Sequence, residues 1–282
     1  MSLHYTVFQN IILSIIKCEL YLRMLNIWKA RFSVFILIIL ISVNSIESVA
    51  QNKVVNNDSQ TWLQYFLNAR FHKLWSIHFD AGYRRREDFV NKPLIWLSRV
   101  GLTLHAGKKV TVTGGYALFS NYVETTSTNF YRTEHRPYLR FNLAHKLSKL
   151  HITHRYRIES RNFQKTNKQG TINGYTSLIR QGYQLNFQYP LIGKSFGKGI
   201  PYVIAYDEIF LNFGASASST FDQNRLYFGF GYVVCDKLSV TLGYQYIYQQ
   251  RNKNTFENTN SVRLNILHNI DFRNAEEITP TK

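Results

Sequence analysis

The sequence predicts an all-β protein whose strands close into an antiparallel transmembrane β-barrel. Three observations carry this prediction: long segments of alternating apolar and polar residues, apolar sets rich in aromatic side chains, and no sustained helical period. The 282 residues include 19 Tyr and 20 Phe, whereas charged residues make up only 18%. This composition favours many aromatic-rich strands over a helical soluble enzyme, because lipid-facing strands carry aromatic bands.

The first fifty residues have the pattern of a secretory signal. Basic residues precede a short apolar run from Phe32 to Val43, and Ala50 is a small residue of the kind that signal peptidase prefers. The run is too short to span a bilayer as a helix, although a buried helix or an uncleaved anchor is the alternative. We therefore expect residues 1–50 to be a signal-peptide region, with Met24 as a candidate true start.

Charge and cysteine content narrow the classes of partner. The chain has 34 basic and 17 acidic residues, which gives a net charge of +17. Such strong basicity makes nucleic acid a candidate partner. The arginines are spread along strands without a basic tail, so we expect no nucleic-acid binding. Removal of residues 1–50 leaves Cys235 as the single cysteine, which excludes an internal disulfide and a cysteine-based zinc site. We expect no metal and no cofactor.

Eleven segments have strand periodicity, and in each the side chains alternate between an apolar and a polar set. They centre on residues 60–70, 74–83, 94–106, 110–120, 136–143, 149–161, 179–189, 202–213, 225–232, 241–249 and 262–272. In the same order, the expected lipid-facing sets include Leu63, Ile77, Val100, Val112, Leu139, Ile158, Ile179, Ile209, Leu226, Leu242 and Val262. The eighth is the least regular, because Asp207 falls on its apolar side, and a bulge there is one explanation.

The connections between these segments mostly alternate between short and long. Gly107-Lys108 and Lys146–Lys149 are tight turns, whereas Arg84–Lys92, Asn121–Asn129 and Gln164–Gly174 are polar loops. Outer-membrane barrels alternate in this way because their periplasmic turns are tight and their external loops are not. A backbone in lipid must satisfy all its hydrogen bonds, so the sheet has to close. A secreted soluble β-sandwich is the alternative.

We predict the number of strands from the rule that bacterial barrels contain an even number. Bacterial barrels normally have an even number, and short turns in the periplasm make the first segment run downward. An N-terminus in the periplasm then needs one more ascending segment, so residues 51–58 could form a short strand or thread the lumen. We favour twelve strands, with ten as the alternative. The expected organisation is a lead-in over residues 51–59, a barrel over 60–273 and a polar tail over 274–282.

The polar faces supply the candidate functional residues. The expected lumen-facing set is Arg136, Arg140, Arg155, Arg157, Glu159, Arg161, Arg180, Glu208, Arg225 and Arg263. Charge inside a narrow barrel is costly unless it is paired, so one interpretation is a ladder of arginine–carboxylate pairs that fills a closed barrel. The other is an anion-attracting pore, or a site for an acidic solute, that uses the surplus arginines.

An enzyme has weaker support from the sequence. Covalent catalysis needs a nucleophile, a base and an orienting group within reach, and the chain has neither a G-x-S-x-G elbow nor an H-E-x-x-H motif. His154 and His268 fall on predicted lipid-facing sides, where a lipase or acyltransferase could place a base. An interfacial role suits such rings better, and a salt bridge suits Glu208 better than general-acid work. We therefore name no catalytic residue.

Several short runs carry a resemblance to one family. They are Arg155-Tyr156-Arg157, Asp207-Glu208-Ile209-Phe210-Leu211-Asn212, Phe221-Asp222-Gln223-Asn224-Arg225-Leu226-Tyr227 with Gly229, Gly231 and Tyr232, and Leu242-Gly243-Tyr244. Over residues 58–273 the chain resembles the bacterial family catalogued as domain of unknown function 2490, and the Asp-Gln-Asn-Arg-Leu-Tyr run is the most specific part. The resemblance implies an outer-membrane barrel of a Gram-negative bacterium, without an established activity.

These observations lead to one expected function and two alternatives. The expected protein is an integral outer-membrane β-barrel that is either structural or a narrow, porin-like, anion-attracting channel. Its expected partners are outer-membrane lipid and small anionic solutes, while its oligomeric state is open. The first alternative is a membrane-embedded lipid-modifying enzyme, a lipase or acyltransferase, and the second is the secreted soluble β-sandwich.

Overall fold

The computed structural model describes residues 53–273, which form eleven β-strands. In chain order these are β1 (Val54–Arg70), β2 (Trp75–Arg86), β3 (Lys92–Ala106), β4 (Val110–Glu124), β5 (Asn129–Leu147), β6 (Leu150–Asn167), β7 (Gly170–Pro190), β8 (Pro201–Phe213), β9 (Phe221–Cys235), β10 (Leu238–Gln250) and β11 (Thr255–Asp271). The predicted signal-peptide region and the predicted polar tail lie outside the described residues. Within residues 53–273, no helix is long and apolar enough to cross a membrane.

The eleven strands form one closed barrel, which confirms the predicted all-β closed fold. Each strand pairs with the next in antiparallel orientation, and β1 pairs with β11 in parallel, from Val54 opposite Thr255 to Arg70 opposite Asp271. In a meander with an odd number of strands, the first and last strands run in the same direction. The seam that closes such a barrel is therefore parallel, and the prediction of a wholly antiparallel sheet is wrong at this one seam.

The predicted count of twelve strands is also wrong for the described part of the chain, as is the alternative of ten. Of the residues expected to supply an extra strand or a lumen thread, those from Val54 to Asp58 instead belong to β1, and they pair with β11 from Thr255 to Thr259. The β-branched residues Val54 and Val55 favour a strand. The parallel seam also supplies hydrogen-bonding partners for the backbone groups of this segment.

The two ends of the barrel differ less in connection length than the sequence suggested. We call the end where β1 begins the upper rim; it carries connections 87–91, 125–128, 168–169, 214–220 and 251–254. We call the end where β11 ends the lower rim; it carries connections 71–74, 107–109, 148–149, 191–200 and 236–237. The predicted polar loops are shorter because the strands continue into them, so that Arg84 lies in β2 and Thr166 in β6. The turn predicted at Gly107 is present, and this glycine has a φ of 84°, which favours glycine.

Apolar side chains cover the outside of the barrel, and polar ones fill much of the inside. Every strand exposes at least one large apolar residue, in order Leu63, Ile77, Val100, Val112, Leu139, Ile158, Ile179, Ile209, Leu226, Leu242 and Val262. The buried residues include fully enclosed polar side chains such as Gln245 and Glu134. This distribution is the reverse of that in a soluble domain, whose interior is mostly apolar.

Glycines on the inner wall make room for large aromatic side chains. A Cβ added at Gly115 on β4 would collide with the carbonyl oxygen of Val100 and lie 2.7 Å from the Tyr138 ring. A Cβ at Gly182 would lie 2.6 Å from the Phe210 ring, which is fully buried. These rings therefore lie flat against the backbone of neighbouring strands, and the small residues allow that close approach.

Asp207 does not sit at a bulge. The pairing of β8 with β7 and β9 is continuous on either side of this residue, and the register shifts only between Phe210 and Leu211. Asp207 points to the outside of the barrel, where it accepts a hydrogen bond of 2.6 Å from the Nδ2 of Asn224 on β9. The irregular alternation of β8 thus reflects an outward-facing carboxylate and not a change of face.

Candidate functional site

The barrel encloses a cavity of about 810 Å³, lined by side chains from all eleven strands. Nine of the ten residues predicted to face the lumen line this cavity: Arg136, Arg140, Arg155, Arg157, Arg161, Arg180, Glu208, Arg225 and Arg263. The tenth, Glu159, is buried in the same wall at 2% exposure. The period of two residues places them all inside, because neighbouring strands of a closed sheet share their faces.

Glu134 on β5 is the centre of the first group of ion pairs. Its carboxylate accepts two hydrogen bonds from Arg136 on the same strand, the one from Nη2 at 2.7 Å. It also accepts a hydrogen bond of 2.7 Å from the Nε of Arg161 on β6. Arg136 in turn stacks on Phe119, with 3.6 Å between the guanidinium carbon and the ring centre. Glu134 has no exposed surface, so this charge is balanced wholly by its two arginines.

A second group of ion pairs continues along the wall from β6 to β9. Glu159 accepts hydrogen bonds from Arg180 on β7, at 2.8 and 2.5 Å. Arg180 also donates to Asp222 on β9, at 3.0 Å. Arg157 lies 3.2 Å from Glu159 and 3.1 Å from Glu208 on β8. Arg136 on β5 lies 3.9 Å from Glu159, so the two groups together link the five adjacent strands β5–β9 in the form of an arginine–carboxylate ladder, one of the two interpretations of the sequence.

Four of the arginines that line the cavity have no carboxylate partner among the described residues. Within the described residues, no carboxylate oxygen lies within 4.0 Å of Arg84, Arg140, Arg155 or Arg263, although all four line the cavity. Arg84 instead stacks on Trp62 at 3.5 Å. Their positive charge is therefore the surplus that the sequence pointed to, and it faces the cavity.

Arg263 and Arg140 have neutral partners only. Arg263 donates to the Oδ1 of Asn265 at 2.8 Å and to the hydroxyl of Tyr206. Arg140 reaches the Oγ1 of Thr113 at 3.3 Å and approaches the Nε2 of His78 at 3.4 Å. Hydrogen bonds of this length to neutral partners compensate the charge of a buried guanidinium group less than a carboxylate does.

Arg155 is the least satisfied of the four. Its Nε is buried without a hydrogen-bonding partner, and so is the Nε of Arg140. The two residues lie diagonally across the pairing of β5 with β6, where Arg140 is opposite Arg157 and Asn142 is opposite Arg155. Diagonal neighbours are about 7–8 Å apart. Two guanidinium groups thus face one part of the cavity without a counter-charge of their own.

Sequence reasoning missed several members of the lumen wall. Trp62, Arg84 and Glu134 were not singled out: Arg84 and Glu134 lie just beyond the predicted limits of their strands, whereas Trp62 lies within the first predicted strand but is not polar. Extending the alternation by one period would have found Glu134, which is two residues from Arg136 on the same face. The Trp62 side chain, only 2% of which is exposed, lies on the inner face of β1. The sequence pattern predicts polar residues on that face, so an aromatic residue there was not expected.

The two candidate histidines lie on the outer face and have tyrosine partners. The Nδ1 of His154 lies 2.8 Å from the hydroxyl of Tyr183, and the Nδ1 of His268 lies 2.9 Å from that of Tyr65. His154 also stacks on His145. In the described part of the chain neither histidine has a serine or carboxylate hydrogen-bonding partner, so neither forms the core of a nucleophile–base–acid arrangement.

The described residues contain no group of three or more His, Cys, Asp or Glu side chains that could hold a metal ion. The carboxylates of the lumen are instead distributed singly among arginines. Glu134, Glu159, Glu208 and Asp222 are each bound by guanidinium groups, so the arrangement can balance charge and receive a negatively charged group at the surplus arginines.

A family model described as "Protein of unknown function (DUF2490)" matches residues 59–258. No curated protein matches the chain, and no solved structure matches it.

Proposed function

The chain belongs to the DUF2490 family of proteins of unknown function, and we propose that it is an integral outer-membrane barrel of a Gram-negative bacterium whose lumen admits small anionic solutes. The observation that carries the proposal is the distribution of polarity around a closed barrel. Apolar residues lie outside on every strand, and a net positive set of charges lies inside. The two halves of the proposal rest on the outer and the inner face respectively.

The outer face supports insertion in a membrane. Monomeric soluble proteins rarely expose contiguous apolar patches of more than a few hundred Å². Here large apolar side chains such as Leu139 (60% exposed), Phe230 (60%) and Trp96 (53%) occur around the barrel. A closed sheet also leaves no unpaired strand edge, which is the condition for strands in a hydrocarbon environment. The same distribution disfavours a soluble sandwich, because that fold buries its apolar faces.

The inner face supports attraction of anions. Arginines with carboxylate partners on β5–β9 form a wall that is close to neutral. Arg84, Arg140, Arg155 and Arg263 add positive charge that faces the cavity. In a confined, partly desolvated space such a surplus raises the local concentration of anions. A purely structural barrel would need the ladder but would gain nothing from four unpaired guanidinium groups.

Membrane insertion can be tested on the outer face. Leu139→Arg should impair folding into bilayers by about 2–4 kcal/mol, because an arginine near the bilayer midplane is costly. The matched control is Val55→Arg, on the same kind of exposed residue (46% exposed) but close to the upper rim. Heat-modifiable gel migration after refolding into vesicles measures both. If Leu139→Arg folds as well as Val55→Arg, the outer face is in contact with water, and the membrane proposal is wrong.

Anion passage can be tested by conductance. The purified barrel in a planar bilayer with a salt gradient should give a reversal potential of the sign expected for anions. Arg84→Gln with Arg263→Gln should shift it toward zero, because two unpaired charges are removed. A barrel that inserts but gives no anion-selective current would refute passage and leave a structural role for the ladder. The lipid-modifying alternative has no support from the partners of His154 and His268.

A further inference from the structure

We propose that Arg140 and Arg155 form a binding site for a solute that carries a phosphate-like, tetrahedral oxyanion. The inference rests on the proposed anion-attracting lumen but goes beyond it, because it assigns one fixed site and one chemical class. It starts from the juxtaposition of two guanidinium groups on adjacent strands, β5 and β6, with a buried and unpaired Nε on each.

Two carboxylates of the lumen wall, Asp80 and Glu208, already pair with other basic side chains, although Oδ1 of Asp80 has no hydrogen-bonding partner. Asp80 on β2 lies 3.3 Å from Arg99 and 3.2 Å from the Nε2 of His78. Glu208 on β8 lies 3.1 Å from Arg157 and 3.6 Å from Arg225. Neither comes within 4.0 Å of Arg140 or Arg155. Buried polar groups in native proteins have partners in the large majority of cases, so this pair can take a partner from outside the chain, and neither arginine has a carboxylate that would compete for it.

The hydrogen-bonding groups around the pair match a doubly charged oxyanion. Guanidinium groups present several N–H donors in a planar fork, which suits phosphate and sulfate oxygens. Two of them balance a dianion, whereas a single carboxylate would leave one positive charge over. The Oδ1 atoms of Asn142 and Asn186 are also buried without partners. These oxygens can accept a hydrogen bond from the hydroxyl group of a monoprotonated phosphate. Sulfate has no such hydroxyl group.

On the lower-rim side of this pair, the wall of the cavity carries few charges. Between the pair and that rim the cavity is lined by hydroxyl and amide side chains, together with the imidazoles of His78 and His105. Representative residues are Thr113, Asn142, Thr153, Asn186 and Gln188. The ion-pair ladder lies mainly on the other side of the pair.

The test is an equilibrium measurement that does not depend on conduction. The purified barrel in detergent is unfolded by heat in inorganic phosphate and, at matched ionic strength, in chloride, with the gel mobility of the folded band as the readout. A ligand that binds only the folded state raises the midpoint with its concentration. Arg155→Gln and Arg140→Gln should each weaken the apparent phosphate affinity by about tenfold or more, because a charged hydrogen-bonding partner is lost.

Stability without phosphate separates a binding role from a structural one. In chloride both variants should unfold at the wild-type temperature or above it, because each removes a repulsion between like charges. Arg155→Lys should fall between wild type and Arg155→Gln, since it keeps the charge without the planar fork. Arg85→Gln, on the outer face near the upper rim, is the matched control for loss of one charge and should keep the phosphate affinity.

Three outcomes would overturn the proposal: variants that are less stable in chloride, an unchanged phosphate affinity in both, or stabilisation by acetate but not by phosphate or sulfate. A barrel that passes anions but retains phosphate affinity in both variants would refute this site alone. A barrel that passes no anions but loses phosphate affinity in them would refute passage alone.

Discussion

Glu134 illustrates how a charge can be buried in the lumen wall. Its carboxylate is fully enclosed, and Arg136 and Arg161 occupy both of its oxygens. A buried ion pair gains little over an apolar pair, but removing one partner is expensive, because it leaves the other charges uncompensated. The energetic importance of Glu134 therefore comes from the two arginines that would lose their partner.

At the residue scale we predict that Glu134→Gln destabilises the barrel by about 3–5 kcal/mol. The measurement is the midpoint of urea unfolding from detergent or vesicles. Glu124→Gln is the control, since Glu124 is also in an ion pair, 2.7 Å from Lys92, but both side chains are exposed. Exposed pairs contribute little, so the control should unfold like wild type. Equal midpoints for the two variants would mean that water reaches Glu134.

At the scale of a single strand, β4 shows how inner and outer positions differ. Gly114 and Gly115 are adjacent in sequence but face opposite sides of the sheet. A Cβ at Gly114 would meet only Leu139, at an ordinary 3.6 Å, whereas one at Gly115 would collide with Val100 and Tyr138. Neither glycine has a positive φ. The difference between them is therefore one of space and not of backbone conformation.

We accordingly predict opposite effects of the same substitution on neighbouring residues. Gly115→Ala should destabilise the barrel by about 1–3 kcal/mol, the usual cost of overpacking. Gly114→Ala should be neutral or slightly stabilising, because alanine restricts the unfolded chain. Thermal unfolding followed by gel mobility compares the two. A larger loss in Gly114→Ala would contradict the assignment of faces on β4.

For the whole molecule, the decisive feature is the parallel seam between β1 and β11. Bacterial single-chain membrane barrels have an even number of strands, although odd membrane barrels exist in mitochondria. The seam is long, since every residue of β1 from Val54 to Arg70 has a partner on β11. It closes the sheet without a further strand, and it gives the barrel eleven strands within the described residues.

The seam predicts a specific cross-link. In a chain whose native cysteines are replaced by serine, Ser59→Cys with Asn260→Cys should form a disulfide on mild oxidation, because these residues are direct partners and neighbouring strands lie about 4.8 Å apart. Ser59→Cys with Leu264→Cys is the control, four positions further along β11, and should not react. Mass spectrometry of the folded protein detects the cross-link, and a twelfth strand between β1 and β11 would prevent it, so that neither pair would react.

The strands and their faces could be read from the sequence because their signal is local. A period of two residues assigns Arg155 and Arg157 to one side and Tyr156 and Ile158 to the other without knowledge of any other strand. The limits of the strands were read less well, since Arg84 and Glu134 lie in polar stretches that resemble loops. Propensity alone does not reveal that a polar segment continues as a strand when its neighbours supply the hydrogen bonds.

The sequence by itself determined that this chain is a β-barrel with arginines inside and aromatic and aliphatic residues outside. Only the tertiary structure decided that eleven strands close through a parallel seam, and that Arg136 and Arg180 have carboxylates while Arg140 and Arg155 have none. The physical reason is that alternation depends on adjacent residues, whereas ion pairs and closure depend on the register between strands far apart in sequence. A shift of one strand by two residues would preserve every face and exchange every partner.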